Sequence, residues 1–356
     1  MGERMKFAVG FQLYEGNEEP FSALVRDYRE QISEVFFAWQ DIPTCRSSVS
    51  SRHGFIDWDA QRRTEEELRA IKAMGIKLDL LFNANCYGDF ALSEKLANTV
   101  ISVIEYLQTA VGGVEIVTTA SLAIAHTVRK HFPSIELRAS VNMKIGTVKG
   151  MEYLSDLFDS FHVQRDYNRD LEHLARLREW ADGASKKLVL LANSGCFTHC
   201  SGQTFHDNLV AHEAGICEVQ NLSDFTPYVC WRMLKKRENW PMLLQNTWIR
   251  PEDLHHYEGL FDTIKLATRM HALPGLVIGA YVRGYHIGNT LDLFEPGFGR
   301  AIAPYILNNA AFPADWFERT TACDKNCHAC GYCREVLSKV LLNAENGEIG
   351  NDGCNA

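Results

Sequence analysis

The feature that most constrains the fold is a regular alternation of short β-rich runs with longer amphipathic segments. The runs that predict strands cover residues 6–11, 34–39, 77–82, 114–119, 135–141, 161–165, 188–193 and 263–266. The segments with helical spacing cover residues 21–32, 64–74, 93–108, 121–131, 147–158 and 170–181. Thr64 with Glu67 has the capping-box pattern, so we expect the second helix to begin at Thr64.

Eight strand units are what a (β/α)8 TIM-barrel-like fold of the α/β class requires, and their spacing suits a barrel of about 250 residues with insertions. The alternative is an open, doubly wound sheet. That fold usually carries a glycine-rich phosphate-binding turn after its first strand, and no such turn follows residues 6–11. The pattern therefore favours the barrel.

Two segments interrupt the alternation. The first is an insertion after strand seven, residues 194–261, and the second is a cysteine-rich tail, residues 313–356. We therefore predict a barrel domain over residues 1–312, including the insertion, followed by the tail. Loops that follow barrel strands line the catalytic mouth, so we expect the insertion to lie on that rim.

Nine of the eleven cysteines fall in these two segments. The insertion carries Cys196, Cys200, Cys217 and Cys230. Thiolates are soft ligands that suit iron–sulfur clusters and zinc. Four of them within 35 residues favour a metal site at the rim, and the alternative is a set of buried free thiols.

The tail contains a denser group of cysteines. Cys323, Cys327, Cys330 and Cys333 lie within eleven residues, and the last three have the C-x2-C-x2-C spacing of ferredoxin-type [4Fe–4S] loops. A structural zinc knuckle is the alternative. Cys354 could supply a ligand, but its Gly/Asn-rich surroundings favour an exposed bystander.

Composition excludes several classes of partner. A net charge of −9 argues against a broad phosphate-binding surface, although a structured RNA could still dock on a local basic patch. No apolar run approaches the roughly 20 residues that span a bilayer, and the charged start lacks the apolar stretch of a secretory signal. We therefore expect a cytoplasmic protein with reduced thiols and no membrane partner.

Polar residues at the ends of predicted strands are the candidate site residues. They are Asn83, Asn85, Asn142, Arg165, Asn193, Lys265 and Arg269. Such positions face a barrel's active site, and two arginines with a lysine suit a small carboxylate substrate. The alternative for each is a contact with a neighbouring loop. Trp248 and Tyr257 could stack on a planar substrate, although core packing is the commoner role of aromatic residues.

Cys86 stands at the end of strand three and is a candidate nucleophile. No activating histidine can be identified for it, so a buried or packing thiol is the favoured interpretation. The chain also lacks the His-Glu-x-x-His and Gly-x-Ser-x-Gly motifs of two large hydrolase classes.

Several motifs, in their order along the chain, carry a family resemblance over roughly residues 5 to 290. They are Ser140-Val-Asn142-Met, Val163-Gln-Arg165 continuing to Glu172, the cysteine insertion after strand seven, Trp248-Ile-Arg250-Pro-Glu252, and Asp262-Thr-Ile-Lys265 continuing to Arg269. The chain resembles the collagenase-like peptidase family of unknown catalytic type, the UbiU/UbiV/TrhP group.

The resemblance implies a barrel with a [4Fe–4S] cluster on four cysteines. In UbiV-like members one ligand comes from near the N-terminus, and Cys45 stands in a comparable place, so it could replace Cys196 or Cys230. The tail cysteines are not general in the family. They could hold a second centre, as an electron relay or a structural clasp.

The resemblance also implies oxygen-independent hydroxylation in which prephenate supplies the oxygen atom. We therefore expect an iron–sulfur enzyme that modifies a small organic acid, a cofactor or an RNA base by redox or atom transfer. One alternative is a peptidase, as the family label implies. Another is a non-catalytic half of a heterodimer with a paralogous partner chain.

Overall fold

Eight parallel strands form a closed barrel. The structure is a computed structural model that describes residues 5–14, 18–40, 42 and 57–345. The strands are β1 Phe7–Gly10, β2 Ile32–Ala38, β3 Lys77–Phe82, β4 Ile116–Thr119, β5 Glu136–Ala139, β6 Ser160–His162, β7 Lys187–Leu191 and β8 Thr263–Leu266. Each strand pairs with the next, and β1 closes the ring by pairing Ala8 with Lys265 of β8. The predicted TIM-barrel fold is confirmed.

Helices surround the barrel and fill the two segments that interrupt the pattern. The first six are α1 Phe21–Asp27, α2 Trp58–Ala73, α3 Glu94–Ala110, α4 Leu122–His131, α5 Val148–Glu152 and α6 Leu171–Gly183. The insertion adds α7 Gln203–Ala211, α8 Glu213–Cys217 and α9 Val229–Leu234. After β8 come α10 Pro274–Arg283, α11 Gly299–Ile302, β9 Tyr305–Leu307, α12 Trp316–Thr321, α13 Tyr332–Val340 and β10 Leu341–Asn343. Over the described residues, no helix combines the length and apolarity needed to cross a membrane.

The second helix begins six residues earlier than the capping box predicts. Asp57 is its N-cap, with the carboxylate accepting from the backbone N–H groups of Asp59 at 3.1 Å and Ala60 at 3.0 Å. Thr64 instead lies inside the helix, where its hydroxyl donates to the Ala60 carbonyl at 2.8 Å. Glu67 caps a different element, because it accepts from the Ser22 N–H of α1 at 2.7 Å.

Successive side chains along each strand point to opposite sides, so one set joins the main core outside the barrel and the other set fills the barrel interior. Side chains such as Val35, Leu80 and Ile264 point outward and join the apolar layer between strands and helices. Residues of the opposite parity point inward. Ala8, Phe36 and Leu81 form a small apolar cluster of their own.

Below that apolar cluster, the barrel interior holds a buried ionic network centred on Arg138. Its guanidinium donates to both carboxylate oxygens of Glu34, at 2.5 and 3.0 Å, and to Glu136 at 2.8 Å. Asp79 lies 3.9 Å from the same guanidinium and accepts from the Thr118 hydroxyl at 2.8 Å. Arg138 is 1% exposed, so these carboxylates replace the water that its charge would otherwise need.

A second apolar core joins the insertion to the C-terminal part of the chain. It packs insertion residues such as Phe197 and Trp248 with Trp316 of α12 and Val336 of α13. Arg169, which follows β6, lies against the rings of both Trp248 and Trp316, at 4.5 and 5.2 Å from their centroids, and the two rings stack on each other. Its guanidinium also donates to the carbonyls of Trp248 and Leu244. The tail residues around Trp316 therefore pack against the barrel, and the domain boundary at residue 312 stays a prediction.

Candidate functional site at the barrel mouth

A cavity of about 130 Å³ opens at the carboxyl ends of the strands. A water molecule occupies roughly 30 Å³ in the liquid, so the space suits a molecule of a few heavy atoms. The lining residues are Phe36, Leu81, Asn83, Val141, Asn142, Arg165, Leu191, Ser194, Cys196, His206, Asp207, Val210, Lys265, Ala267, Arg269, Met270 and Glu295. Strand ends and the cysteine insertion thus enclose one space.

Three of the predicted cationic residues meet in this cavity. Arg165 begins a 3-10 turn after β6, Lys265 lies on β8, and Arg269 follows β8. Lys265 and Arg269 are each 8% exposed. A desolvated guanidinium is a strong carboxylate ligand, because it can donate two parallel hydrogen bonds in a medium of low dielectric constant.

Glycine at position 10 allows the segment after β8 to approach the cavity. A Cβ at Gly10 would lie 2.6 Å from the Arg269 backbone nitrogen and 2.7 Å from the Phe36 ring. The Gly10 N–H donates to the Thr268 hydroxyl at 2.7 Å, which fixes the approach. The absence of a side chain at residue 10 therefore places Arg269 beside the cavity.

Lys265 has an unusual environment for a lysine. Its Nζ lies 3.9 Å from the centroid of the Phe36 ring. Over the described part of the chain, it makes no ion pair within 4.0 Å. Burial lowers the pKa of Lys265 to about 8, and the Arg269 and Arg138 charges act in the same direction while Asp79 opposes them. The amine is therefore held in a site that favours its neutral form.

Two more titratable groups lie in the barrel interior within electrostatic range of Lys265. Burial raises the pKa of Asp79 to about 6, against the opposing effect of Arg138 and Lys265. Burial and the Lys265 charge hold the pKa of His162 well below its usual value, and its Nδ1 lies 3.0 Å from the Ala139 carbonyl. His162 is therefore neutral at pH 7.

The insertion brings Cys196 to the cavity wall. Gly195 lies against the chain that follows Phe294, since a Cβ there would lie 2.0 Å from the Pro296 carbonyl oxygen. The Gly195 carbonyl accepts from the Asn246 side chain at 2.7 Å. Burial raises the pKa of Cys230 to about 11, and the thiols of Cys196 and Cys200 add to the increase. These three sulfurs are therefore within electrostatic range of one another.

The four tail cysteines also interact with one another. Burial raises the pKa of Cys333 to about 11, Arg169 opposes the increase, and the other three thiols reinforce it. The Cys323 sulfur accepts from the Lys325 N–H at 3.3 Å. Within the described ranges, no three His, Cys, Asp or Glu side chains are arranged around the position of a single metal ion.

One segment after β6 contacts both cysteine groups and the cavity. Arg165 lines the cavity, and the Asp166 carboxylate accepts from the His199 N–H between Cys196 and Cys200. Arg169, four residues along, is the charge that acts on Cys333. This segment therefore fixes the insertion and the tail relative to the mouth.

The chain is similar to proteins described as peptidases. It is 25% identical, over 281 residues, to an uncharacterized protease of Methanocaldococcus jannaschii, covering 78% of this chain and 80% of the relative. The U32 peptidase Mk0906 has the same fold, with a TM-score of 0.53 and 15% identity over 74% of this chain and 93% of that one. These two matches support the resemblance to the U32 collagenase-like peptidase family that the motifs carry. No profile of a known protein family matches the chain.

A glycoside hydrolase family 5 mannosidase from Rhizomucor miehei also superposes on this chain. Its TM-score is 0.43, at 10% identity over 74% of this chain and 81% of the mannosidase. A likeness of that order carries no argument about function.

Several residues predicted for the site have structural roles. The Asn193 side chain donates to the carbonyls of Ala267 and Leu293 and accepts from the Ala267 N–H, so it holds the loop after β8 in position. Trp248 and Tyr257 are fully buried and do not face the cavity. They therefore pack in the core, as the alternative for aromatic residues predicts, and do not stack on a substrate there. Cys86 is outside the cavity lining, and its sulfur accepts from the Gly88 N–H at 3.4 Å.

The remaining cysteines divide by position. Cys217 is exposed at the end of α8, beside an apolar surface depression lined by Phe205, Leu222 and Phe225. Cys45 and Cys354 lie outside the described residues. All nine described cysteines are free thiols.

Sequence reasoning missed the charged lining residues Asp207 and Glu295, whereas His206 is a residue that the sequence marks as a possible ligand or proton donor. His206 and Asp207 lie on α7, and Lys144 of the loop after β5 donates to the neighbouring Thr204 hydroxyl at 3.1 Å. They do not follow a strand, so the barrel pattern gives no signal for them. A helix that carries His and Asp next to paired cysteines is the only sequence hint.

Proposed function

We propose that this chain is an iron–sulfur protein that modifies a small carboxylate at the barrel mouth by redox or atom transfer, such as oxygen-independent hydroxylation. One observation carries the proposal. Cys196, a candidate cluster ligand, lines the same cavity as Arg165 and Arg269. A cluster held by the insertion would therefore lie beside the bound acid.

The cavity favours a small acid over a larger molecule. Its volume of about 130 Å³ is below the range of about 300–1,000 Å³ that drug-sized ligands occupy. Arg165 and Arg269 supply the positive charge, and Phe36 and Leu81 supply apolar walls. An acid with the bulk of prephenate, or an RNA base, would need the insertion helix α7 to move outward.

The insertion thiols are the proposed ligands of the cluster, and binding would require them to move together, because no three His, Cys, Asp or Glu side chains of the described residues surround one metal position. Cys196, Cys200 and Cys230 are within electrostatic range of one another, and each is a free thiol. Since the cluster binds thiolates, its assembly would displace a proton from Cys230, whose raised pKa keeps it protonated at pH 7. Cys217 and Cys45 are the candidates for the fourth ligand. When bound, a [4Fe–4S] cluster supplies one-electron chemistry at the mouth.

The tail cysteines are proposed as a second centre, with zinc as the alternative. Cys323, Cys327 and Cys330 are exposed, whereas Cys333 is half-buried beside Arg169. A cation near the sulfurs offsets the net negative charge of thiolates on a metal centre. Either metal requires reduced thiols, so we propose that the protein is cytoplasmic.

Purification without oxygen tests the cluster. We expect a brown protein whose iron and sulfide contents match one or two cubes. Replacing Cys200 or Cys230 by Ala should remove about one cube, whereas the matched Cys86→Ala variant should keep the full iron content. A colourless protein that contains only zinc would contradict the proposal.

Calorimetry with pyruvate tests the anion site. We expect Arg269→Gln to weaken binding at least about tenfold, because the acid would lose a charged, desolvated partner. Arg283→Gln is the matched control, since Arg283 is on α10 and contacts Tyr285 outside the cavity. Equal affinities for the two variants would exclude the mouth as the binding site.

The peptidase interpretation makes the opposite prediction for the same preparations. Cleavage of peptides by the colourless, cluster-free protein, and its loss in Cys86→Ala, would favour hydrolysis. Hydrolysis is not our preferred function, because Cys86 is outside the cavity that gathers the charged side chains.

A further inference from the structure

The environment of the Lys265 amine differs from that of a lysine that only pairs with an anion. Lys265 lines the cavity and is 8% exposed, and its Nζ lies above the Phe36 ring. A lysine that only balances the charge of an anion is usually protonated and paired with an acid. Among the residues the structure describes, no carboxylate lies within 4.0 Å of this amine.

Titratable groups face Lys265 from several elements of the barrel. They are Glu34 of β2, Asp79 of β3, Arg138 of β5, the neutral His162 of β6 and Arg269 after β8, and the cavity that Lys265 lines also contains Arg165, Cys196, His206, Asp207 and Glu295. Burial has the largest effect on the pKa of the amine and lowers it, Asp79 and Glu34 raise it, and Arg269 and Arg138 lower it. The neutral amine, which is the nucleophilic form, is therefore more abundant than in an ordinary exposed lysine.

The neighbouring arginines define where a carboxylate would lie relative to this amine. Arg269 and Lys265 line one small cavity, and the Arg269 charge acts directly on the amine. An acid whose carboxylate pairs with Arg269 would place its next carbon near Nζ. If that carbon is a carbonyl, the amine has an electrophile within reach.

Resting on the proposed carboxylate site, we propose that the mouth takes a 2-oxo acid and that Lys265 forms an imine with its carbonyl carbon. The amine nitrogen adds to the carbonyl carbon, and the carbon–oxygen bond then breaks. The carbonyl oxygen leaves as water with the two amine hydrogens, and a carbon–nitrogen double bond remains. The step needs no oxidant or reductant. The imine draws electrons from adjacent bonds and activates the neighbouring C–H bond.

Reductive trapping tests the proposal on the intact, anaerobically purified protein. Pyruvate, the smallest 2-oxo acid, is added with cyanoborohydride, and labelled peptides are quantified by mass spectrometry. Hydride reduces the imine to a stable secondary amine, so the label marks the reacting lysine. We expect Lys265 to be labelled roughly ten times more than an exposed lysine such as Lys149, because burial lowers the pKa of Lys265 to about 8 and so raises the fraction of neutral amine at pH 7.

The pH dependence of labelling and two lysine variants provide further tests. Labelling of Lys265 should rise with pH and level off above about 8, whereas labelling of exposed lysines should rise until about 10. Lys265→Arg should abolish the mouth label while Lys149→Arg leaves it unchanged. Lactate, which has a hydroxyl in place of the carbonyl, should give no label.

The outcomes separate this inference from the proposed function. Calorimetric binding of pyruvate that depends on Arg269, without any label on Lys265, would overturn the imine and leave the carboxylate site intact. Absence of both binding and label would overturn the carboxylate site as well. Equal labelling of Lys265 and Lys149 would show that the mouth does not activate the amine. The wild-type label position is read without any variant, so a folding defect in Lys265→Arg cannot produce a false result.

Discussion

At the residue scale, the interior of the barrel is governed by one arginine. Arg138 contacts Glu34, Glu136 and Asp79, and the closest of these contacts are buried. Burial raises the pKa of Glu136, but Arg138 and Lys187 outweigh it and lower this pKa to about 2. Arg138 is thus the cation that all three carboxylates share, while Lys187 also pairs with Glu136 and the Lys265 charge also acts on Asp79.

Arg138→Met should destabilise the fold by about 3–5 kcal/mol, because it leaves buried carboxylates without a counter-charge. Chemical denaturation at pH 7 measures the free energy of unfolding. The control is Arg62→Met, whose ion pairs with Asp59 and Glu66 are on the surface, where water screens them, so its loss should be small. Similar losses in both variants would contradict the role given to Arg138.

Asp79 should make stability depend on pH in an unusual direction. Burial raises its pKa to about 6 in the folded state, above the ordinary aspartate value of 3.8. The folded state therefore holds the proton more tightly, and the stability this provides is present below pH 3.8 and lost as the pH rises to about 6. Across that window the wild type should lose on the order of 3 kcal/mol relative to Asp79→Asn.

Urea denaturation of the two proteins at several pH values between 4 and 7 checks this expectation. The difference between them should change below pH 6 and stay constant above it. Asn keeps an acceptor for the Thr118 hydroxyl, so the substitution preserves that hydrogen bond. Parallel curves over the whole range would show that Asp79 does not titrate in the window.

At the scale of the element, the start of α2 shows both the power and the limit of sequence reasoning. The amphipathic pattern located the helix, but Thr64 and Glu67 satisfied a capping-box rule that depends on local spacing alone. The structure uses Asp57 as the cap, and Glu67 serves the neighbouring α1. The contact between Glu67 and α1 joins segments that are far apart in the sequence, so a local capping pattern cannot predict it.

Asp57→Ala should cost about 1 kcal/mol, because two backbone N–H groups at the start of α2 lose their acceptor. Asp57→Asn is the matched variant and should retain nearly all the stability, since its side-chain oxygen still accepts. Thermal or urea unfolding of the three proteins provides the measurement. An equal loss in both variants would point to the charge of Asp57 rather than to capping.

At the scale of the whole molecule, the barrel and its eight strands were predictable, whereas the second core was not. The strands could be predicted because each one is visible in a short stretch of sequence. Arg165, Lys265 and Arg269 were predicted as site residues because they lie at or just past the ends of strands. The packing of Phe197 and Trp248 with Trp316 and Val336 joins segments separated by many residues, without a repeating pattern. His206 and Asp207 reach the mouth through the same non-local folding.

Removing residues 313–356 should therefore lower the stability of the remaining chain instead of releasing an independent tail. The truncation would expose the Trp248 ring and the Arg169 guanidinium that now pack against Trp316. We expect a lower thermal midpoint and binding of a hydrophobic dye, measured against the full chain. An unchanged midpoint would support the predicted boundary at residue 312.

The seam between β1 and β8 has a consequence for how the protein is made. Ala8 pairs with Lys265, so the first strand has no barrel partner on one side until about 255 more residues have been synthesised. At roughly 5–20 residues per second, the ribosome leaves that edge open for about 13–50 seconds. Lys265, Arg269 and the Gly10 contact that positions Arg269 come together only when the ring closes. The mouth therefore forms late, and a nascent chain that stalls before β8 carries the insertion cysteines but neither the tail cysteines nor a complete site.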